Sequence, residues 1–179
     1  MRIEGAKRVA RVRERTVLPL IGLIKRDLEG SDVRISPLLE DVEALAFAGA
    51  DIIAIDATDR PRPCTVEKLV TRAKELGCFV MADCATLSEG RAAHHLGCEI
   101  IGTTLSGYTQ ETVPMDPDLD LVEAMSDQGF CVMAEGRLRT PEQARAAIER
   151  GAWCVTIGSA ITRLEHITGW FVEAVTPPV

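Results

Sequence analysis

Ala48-Gly49-Ala50-Asp51-Ile52-Ile53-Ala54-Ile55-Asp56 is the stretch from which the fold is read. A glycine closes whatever precedes it, an apolar run follows without polar alternation, and an acid ends the run. Unbroken apolar runs of this length suit strands buried on both faces, as in parallel sheets covered by helices. Glycine just ahead of such a run marks the end of a helix, because helices commonly terminate on a residue with positive φ. Helix, glycine, buried strand, polar residue: this is one βα repeat.

The same order recurs along the chain. Leu76-Gly77-Cys78, Leu96-Gly97-Cys98 and Arg150-Gly151-Ala152 repeat the helix-end glycine. Apolar runs lie at 2–4, 18–24, 51–55, 79–82, 99–102, 131–134 and 154–157. Between them are stretches with helical spacing, clearest in Leu38-Leu39-x-x-Val42-x-x-Leu45 and Val66-x-x-Leu69-Val70-x-x-Ala73. Pro141 opens another helix, with Thr140 as its N-cap. Seven units spaced by roughly 20–30 residues predict an α/β fold, a (β/α)8 TIM barrel of the phosphate-binding type with seven βα units visible. An open doubly wound sheet usually carries a glycine-rich dinucleotide turn after its first strand, and none is found here. One domain is expected over 1–175, with a tail at 176–179.

Composition agrees with this reading. Hydrophobic residues make up 46% of the 179, yet aromatics only 4%, so Val, Ile, Leu and Ala must build the core. A net charge of −7 argues against general nucleic-acid binding, which needs a basic surface. No apolar run reaches the ~18 residues that span a bilayer, and the start resembles no signal peptide; a cytoplasmic location is expected. None of the six cysteines forms a C-x-x-C pair. Cys78, Cys98, Cys131 and Cys154 read as buried small hydrophobes at equivalent places of the repeat.

In such barrels the active site lies where strands run into the following loops. Nearly every run here ends in an ionisable or hydroxyl residue: Arg2 and Glu4, Lys25-Arg26-Asp27, Asp56-Ala57-Thr58, Asp83, Thr103-Thr104, Glu135 with Arg137, and Ser159. Lys25 follows Ile21-Gly22-Leu23-Ile24 directly. An apolar wall disfavours its ammonium form and suits it to proton transfer; a surface lysine in a charged loop is the plainer alternative. Glu135 reads either as a general acid or base, or as the partner of a nearby arginine. Asp83 reads as a ligand for a sugar hydroxyl or as an ion-pair partner. Gly158-Ser159 and Glu135-Gly136-Arg137 fall in the last two strand-to-helix loops, where barrels often hold phosphate. Arg163 follows one turn later, placed to add charge. His94, His95 and His166 do not converge, so no metal or cofactor is expected.

Five motifs, in order, resemble the N-acetylmannosamine-6-phosphate 2-epimerase family. They are Ile21-Gly22-Leu23-Ile24-Lys25-Arg26-Asp27; Asp51 to Asp56 with Arg60-Pro61-Arg62-Pro63; Gly102-Thr103-Thr104-Leu105-Ser106-Gly107-Tyr108; Ala134-Glu135-Gly136-Arg137; and Gly158-Ser159-Ala160-Ile161-Thr162-Arg163. The resemblance implies a metal-independent TIM-barrel isomerase of sialic acid breakdown. It would convert N-acetylmannosamine 6-phosphate to N-acetylglucosamine 6-phosphate through an enolate-like intermediate. It implies Lys25 as catalytic lysine, Glu135 as its catalytic partner, and Arg2, Asp83 and Arg163 as substrate-binding. Gly136, Arg137, Gly158 and Ser159 would hold phosphate, in a homodimer whose ligand is a small sugar phosphate rather than a nucleic acid or membrane. Family members begin with one further βα unit, whose strand carries a glutamine into the site. Without it, two strand edges would lie unpaired, and instability or weak activity is expected unless a partner fills the gap.

Other readings fit less well. A pentulose-phosphate epimerase would want converging His and Asp ligands, and an orotidine-phosphate-type decarboxylase a D-x-K-x-x-D run. A truncated, inactive paralogue serving as an assembly partner is the non-catalytic alternative.

Overall fold

A computed structural model of the chain describes residues 1–176; of the expected tail, all but Thr176 lies outside the described residues. Seven strands alternate with helices: β1 (Arg2–Glu4), α1 (Ala6–Arg13), β2 (Ile21–Leu23), α2 (Leu39–Phe47), β3 (Ile52–Asp56), α3 (Val66–Glu75), β4 (Phe79–Asp83) and α4 (Leu87–His95). β5 (Ile100–Gly102), α5 (Leu119–Ser126), β6 (Val132–Glu135), α6 (Pro141–Glu149), β7 (Cys154–Thr156), α7 (Ser159–Thr162) and α8 (Leu164–Val175) complete the order. Every strand pairs in parallel with the next, so spatial order equals chain order. The sheet curls into an unclosed barrel. Among the described residues no strand joins β7 to β1.

Local chemistry explains the element ends. Thr140 accepts from the Gln143 N–H at 3.2 Å, and the Gln143 side chain accepts from the Thr140 N–H at 3.3 Å, a reciprocal cap that satisfies two orphan donors. Thr86 and Glu89 do the same for α4. Gly49 and Gly151, at φ 88° and 93°, turn the chain out of α2 and α6 into the following strands, a conformation that a Cβ would penalise.

Strand parity sorts the side chains into two layers, because successive residues face opposite sides of a sheet. Ile53, Ile55, Val80, Ala82, Ile101, Val132 and Ala134 face outward and join the helices in the larger core. Ile21, Leu23, Ala54, Met81, Ile100 and Met133 face inward and fill the barrel floor. The same inward parity, continued to the strand ends, carries Glu4, Asp56, Asp83 and Glu135 to the rim, and gives Arg2, which opens β1, the same inward face. Register aligns these ends: Asp56 pairs with Asp83, and Asp83 with Gly102.

Two expectations need correcting. Cys78 and Cys98 are buried in the sheet–helix layer, but Cys131 and Cys154 are half-buried against the barrel interior. The four do not occupy equivalent places: Cys78 and Cys98 directly follow the helix-end glycines, whereas Cys131 and Cys154 stand further along their units and pack with the inward-facing residues. Nor is β7 buried on both faces; its three residues are half-exposed, since it is an edge strand.

Gly22 faces outward, against Val9 of α1 and Leu45 of α2. A Cβ there would lie 2.9 Å from Leu45 Cδ2 and 3.0 Å from Ala50 Cβ. Gly22→Ala is therefore expected to destabilise the fold by about 1–3 kcal/mol through overpacking. At this chain length each kcal/mol lowers the Tm by roughly 2–4 °C. Thermal unfolding followed by circular dichroism checks this; an unchanged Tm would mean that α2 yields freely.

Candidate active site

The strand ends and their loops enclose a cavity of about 840 Å³, lined by residues of every βα unit except that of β4, from Arg2 to Trp170. At its base is a buried ion cluster. The Arg2 guanidinium donates through Nη2 to Asp83 Oδ2 at 2.5 Å, and through Nη1 to Asp83 Oδ1 at 3.0 Å and Glu135 Oε2 at 2.5 Å. Thr104 Oγ1 donates to Asp83 Oδ1 at 2.6 Å. The Arg2 side chain is 8% exposed and Asp83 fully enclosed, so the carboxylate has no water to compete with these donors. Burial alone would lower the arginine pKa; Asp83 and Glu135 more than offset it and raise it.

Glu135 sits differently from Asp83. Burial pushes its pKa up to about 7, and the charge of Asp83 adds to the rise, while Arg2 and Lys25 oppose it. Its backbone is fixed by Thr103, whose Oγ1 donates to the Glu135 carbonyl at 2.9 Å and accepts its N–H at 3.1 Å. A carboxyl group with its pKa near neutrality, in a cavity, is suited to giving and taking protons.

Lys25 is held by a hairpin. Residues 24–36 fold back on themselves, with antiparallel bridges Lys25–Ile35 and Leu28–Ser31, and Ser31 Oγ donates to the Pro61 carbonyl at 2.8 Å. The lysine lines the cavity, as the sequence led us to expect. The apolar wall does not: its side chain is 49% exposed, with Nζ 3.8 Å from Glu4 Oε2. The strand stops at Leu23, and the hairpin carries Lys25 off the apolar floor into a charged rim.

Gly136, Gly158 and Ser159 line the far side of the cavity. Arg137 lines it too, but its guanidinium is engaged elsewhere. It donates to the Asp116 carbonyl at 2.6 Å and to the Ser106 carbonyl, and lies over the Tyr108 ring at 5.5 Å. Arg137 therefore ties down the β5–α5 loop. Asp83 does not reach the cavity surface; it sits beneath Arg2. Arg163 is not among the lining residues: it caps α8, more than half-exposed, and pairs with Glu165 two residues on. Arg139, stacked 5.0 Å from the Trp170 ring, and His166 line that side of the cavity instead.

Sequence reasoning assigned no role to Arg60, Tyr108, Arg139 or Trp170, and considered His166 only as a metal ligand, which it rejected. Arg60 and Tyr108 lay inside motifs of the family resemblance, which was the available signal; Arg139 and Trp170 lay outside them. The cysteines offer no competing nucleophile: burial pushes the Cys98 thiol up to about 12 and raises Cys84 well above its ordinary value.

Comparison with known proteins follows the same lines. The family described as "Putative N-acetylmannosamine-6-phosphate epimerase" matches residues 1–177. A protein of Aliivibrio fischeri named "Putative N-acetylmannosamine-6-phosphate 2-epimerase" is 58% identical over 175 residues, covering 98% of this chain and 74% of that protein. One of the same name from Pasteurella multocida is 56% identical, covering 98% and 77%. The solved N-acetylmannosamine-6-phosphate 2-epimerase of Clostridium perfringens superposes with a TM-score of 0.93 at 36% identity, covering 97% of this chain and 78% of that one.

Proposed function

The chain belongs to the N-acetylmannosamine-6-phosphate epimerase family, and from that premise we propose that it inverts C2 of N-acetylmannosamine 6-phosphate, giving N-acetylglucosamine 6-phosphate in sialic acid breakdown. One observation carries the reading: Lys25 and the Arg2–Glu135 pair share one cavity with the glycine turns at Gly136 and Gly158-Ser159.

The chemistry proceeds by proton transfers. Glu135, ionised, takes the proton from the O1 hydroxyl, and as a carboxylic acid returns it to the ring oxygen, opening the sugar to its aldehyde. The C2 hydrogen is then α to a carbonyl. Lys25 removes it, leaving an enolate-like intermediate; a proton from solvent water delivered to the opposite face inverts the centre, and Lys25 passes the proton it took back to solvent. Arg2 holds Glu135 in place, and Asp83 with Thr104 holds Arg2. The 6-phosphate is placed at the backbone of Gly136, Gly158 and Ser159, where glycine allows close approach, with Arg139 supplying charge. Arg137 contributes by holding the neighbouring loop. Arg163 joins this site if it leaves Glu165.

Incubation with N-acetylmannosamine 6-phosphate in D₂O tests the function. N-acetylglucosamine 6-phosphate carrying deuterium at C2, read by NMR, is the expected product; no conversion and no exchange would overturn it. A pH profile tests the role of Glu135. Because its ionised form begins ring opening, kcat/KM should rise with pH through about 7, and Glu135→Gln should abolish that limb along with most of the activity. A limb that survives the substitution belongs to another group.

Six free cysteines suit a reducing compartment, and no helix among the described residues is long and apolar enough to cross a membrane; we place the protein in the cytoplasm. Leu164, Phe171, Val172 and Val175 on α8 are exposed, and cover by a second copy would bury them, which favours a homodimer of the single domain.

A further inference from the structure

We propose that Arg60 binds the acyl carbonyl oxygen of the substituent at C2, and so makes the site selective for N-acylated sugar phosphates. The inference rests on the function proposed above and adds to it a residue and a specificity.

Arg60 is built as a fixed donor. It lies in the loop after β3, where the carboxylate of Asp56, 1% exposed, accepts from Arg60 Nη2 at 2.6 Å. Thr58 Oγ1 accepts from Arg60 Nε at 2.8 Å, and itself donates to Asp56 Oδ1 at 2.6 Å. Arg62 donates to the other side of Asp56, at 3.2 Å to Oδ1 and 2.8 Å to the Asp56 carbonyl. Two of the three guanidinium nitrogens of Arg60 are therefore pinned. Among the described residues Nη1 has no hydrogen-bond partner, while Arg60 lines the cavity. A guanidinium oriented in advance loses little freedom when it meets an acceptor.

Position indicates which acceptor. Phosphate on C6 is placed at the loops after β6 and β7, and C2 must reach Lys25 after β2. Three carbons separate C2 from C6, so a substituent on C2 leaves the sugar away from the phosphate. Beyond Lys25 that direction meets the hairpin and the β3 loop. Leu23 and Ile35, both nearly buried, line the cavity there beside Arg60. An apolar wall next to a guanidinium matches an acyl group, methyl against the one and carbonyl oxygen against the other. The other cations at this rim are engaged: Arg2 between two carboxylates, Arg34 with Asp27 at 2.8 Å, and Lys25 in the proton transfer.

Calorimetric titration of two ligands tests the assignment: N-acetylglucosamine 6-phosphate, and glucose 6-phosphate, which has the phosphate but no acyl carbonyl. Arg60→Met should weaken binding of the acetylated ligand by about ten- to a hundredfold, the effect of losing a charge-assisted hydrogen bond, and change binding of glucose 6-phosphate less than threefold. Arg60→Lys, which keeps charge but cannot be pinned by both Thr58 and Asp56, should fall between, and decides the matter if the methionine variant unfolds. An equal loss for both ligands, or no loss for either, overturns the proposal. Should the unaltered protein itself neither epimerise nor bind the acetylated ligand, the proposed function fails as well. If it epimerises while both Arg60 variants keep their discrimination, this inference alone fails.

Discussion

Replacing Lys25 with alanine is expected to lower kcat for C2 inversion by about 10²–10⁴-fold, the usual contribution of a positioned acid–base group. The lysine lines the cavity and is half-exposed, so its removal leaves no void and should leave the melting temperature nearly unchanged. Binding of N-acetylglucosamine 6-phosphate should persist within a few-fold, because the glycine turns that receive the phosphate lie across the cavity. The decisive measurement is exchange of the C2 hydrogen with D₂O, followed by NMR. Lys25→Ala should stop exchange while ring opening, which falls to Glu135, continues. Exchange at the original rate would transfer the base to a neighbour, and Glu4, 3.8 Å from the lysine nitrogen, would be the first to examine.

The second large effect concerns stability. Arg2→Met should cost about 3–5 kcal/mol at pH 8, because removing one partner of a buried ion cluster leaves uncompensated charge. Asp83 would lose its bidentate partner in a site without water, and Glu135 its nearest cation. The loss should depend on pH, with a definite sign. A buried carboxylate left without a cation takes up a proton in the folded state at a pH where the unfolded chain has released its own. Between those two values the folded state binds more protons, so the stability of the variant rises as pH falls. Urea unfolding at pH 8 and at pH 5.5 should therefore show a smaller deficit at the lower pH. Equal deficits would mean that water reaches Asp83 once the arginine is gone. Activity should fall as well, since Glu135 loses the contact that aims it.

The βα repeat was legible because burial on both faces of a parallel strand leaves an unbroken apolar run, and because helix ends need a residue tolerant of positive φ. Ile52–Asp56 and Gly49 show both signals within nine residues. The rim was legible from the strand ends: polar residues that directly follow buried apolar runs gather at one end of a parallel barrel. Arg2, Asp83 and Glu135, distant in sequence, are picked out by that rule together with the family resemblance. Less could be read where a side chain has more than one possible partner. Arg137 and Arg163 both read as phosphate or substrate ligands from their place after the last strands. One instead meets the carbonyls of Ser106 and Asp116, and the other meets Glu165, because loops bring acceptors near that no local pattern announces.

Repetition along the chain was thus enough to determine the α/β barrel architecture and the residues at which its strands end, since periodicity is a property of the backbone. Which of those residues are neutralised, buried or open to a ligand was decided only by the tertiary structure. Desolvation and charge pairing depend on groups brought together from opposite sides of the barrel. Glu135 is the clearest case: the sequence placed it at a strand end, and the enclosure made by Arg2, Asp83 and the surrounding loops brings its pKa to about 7.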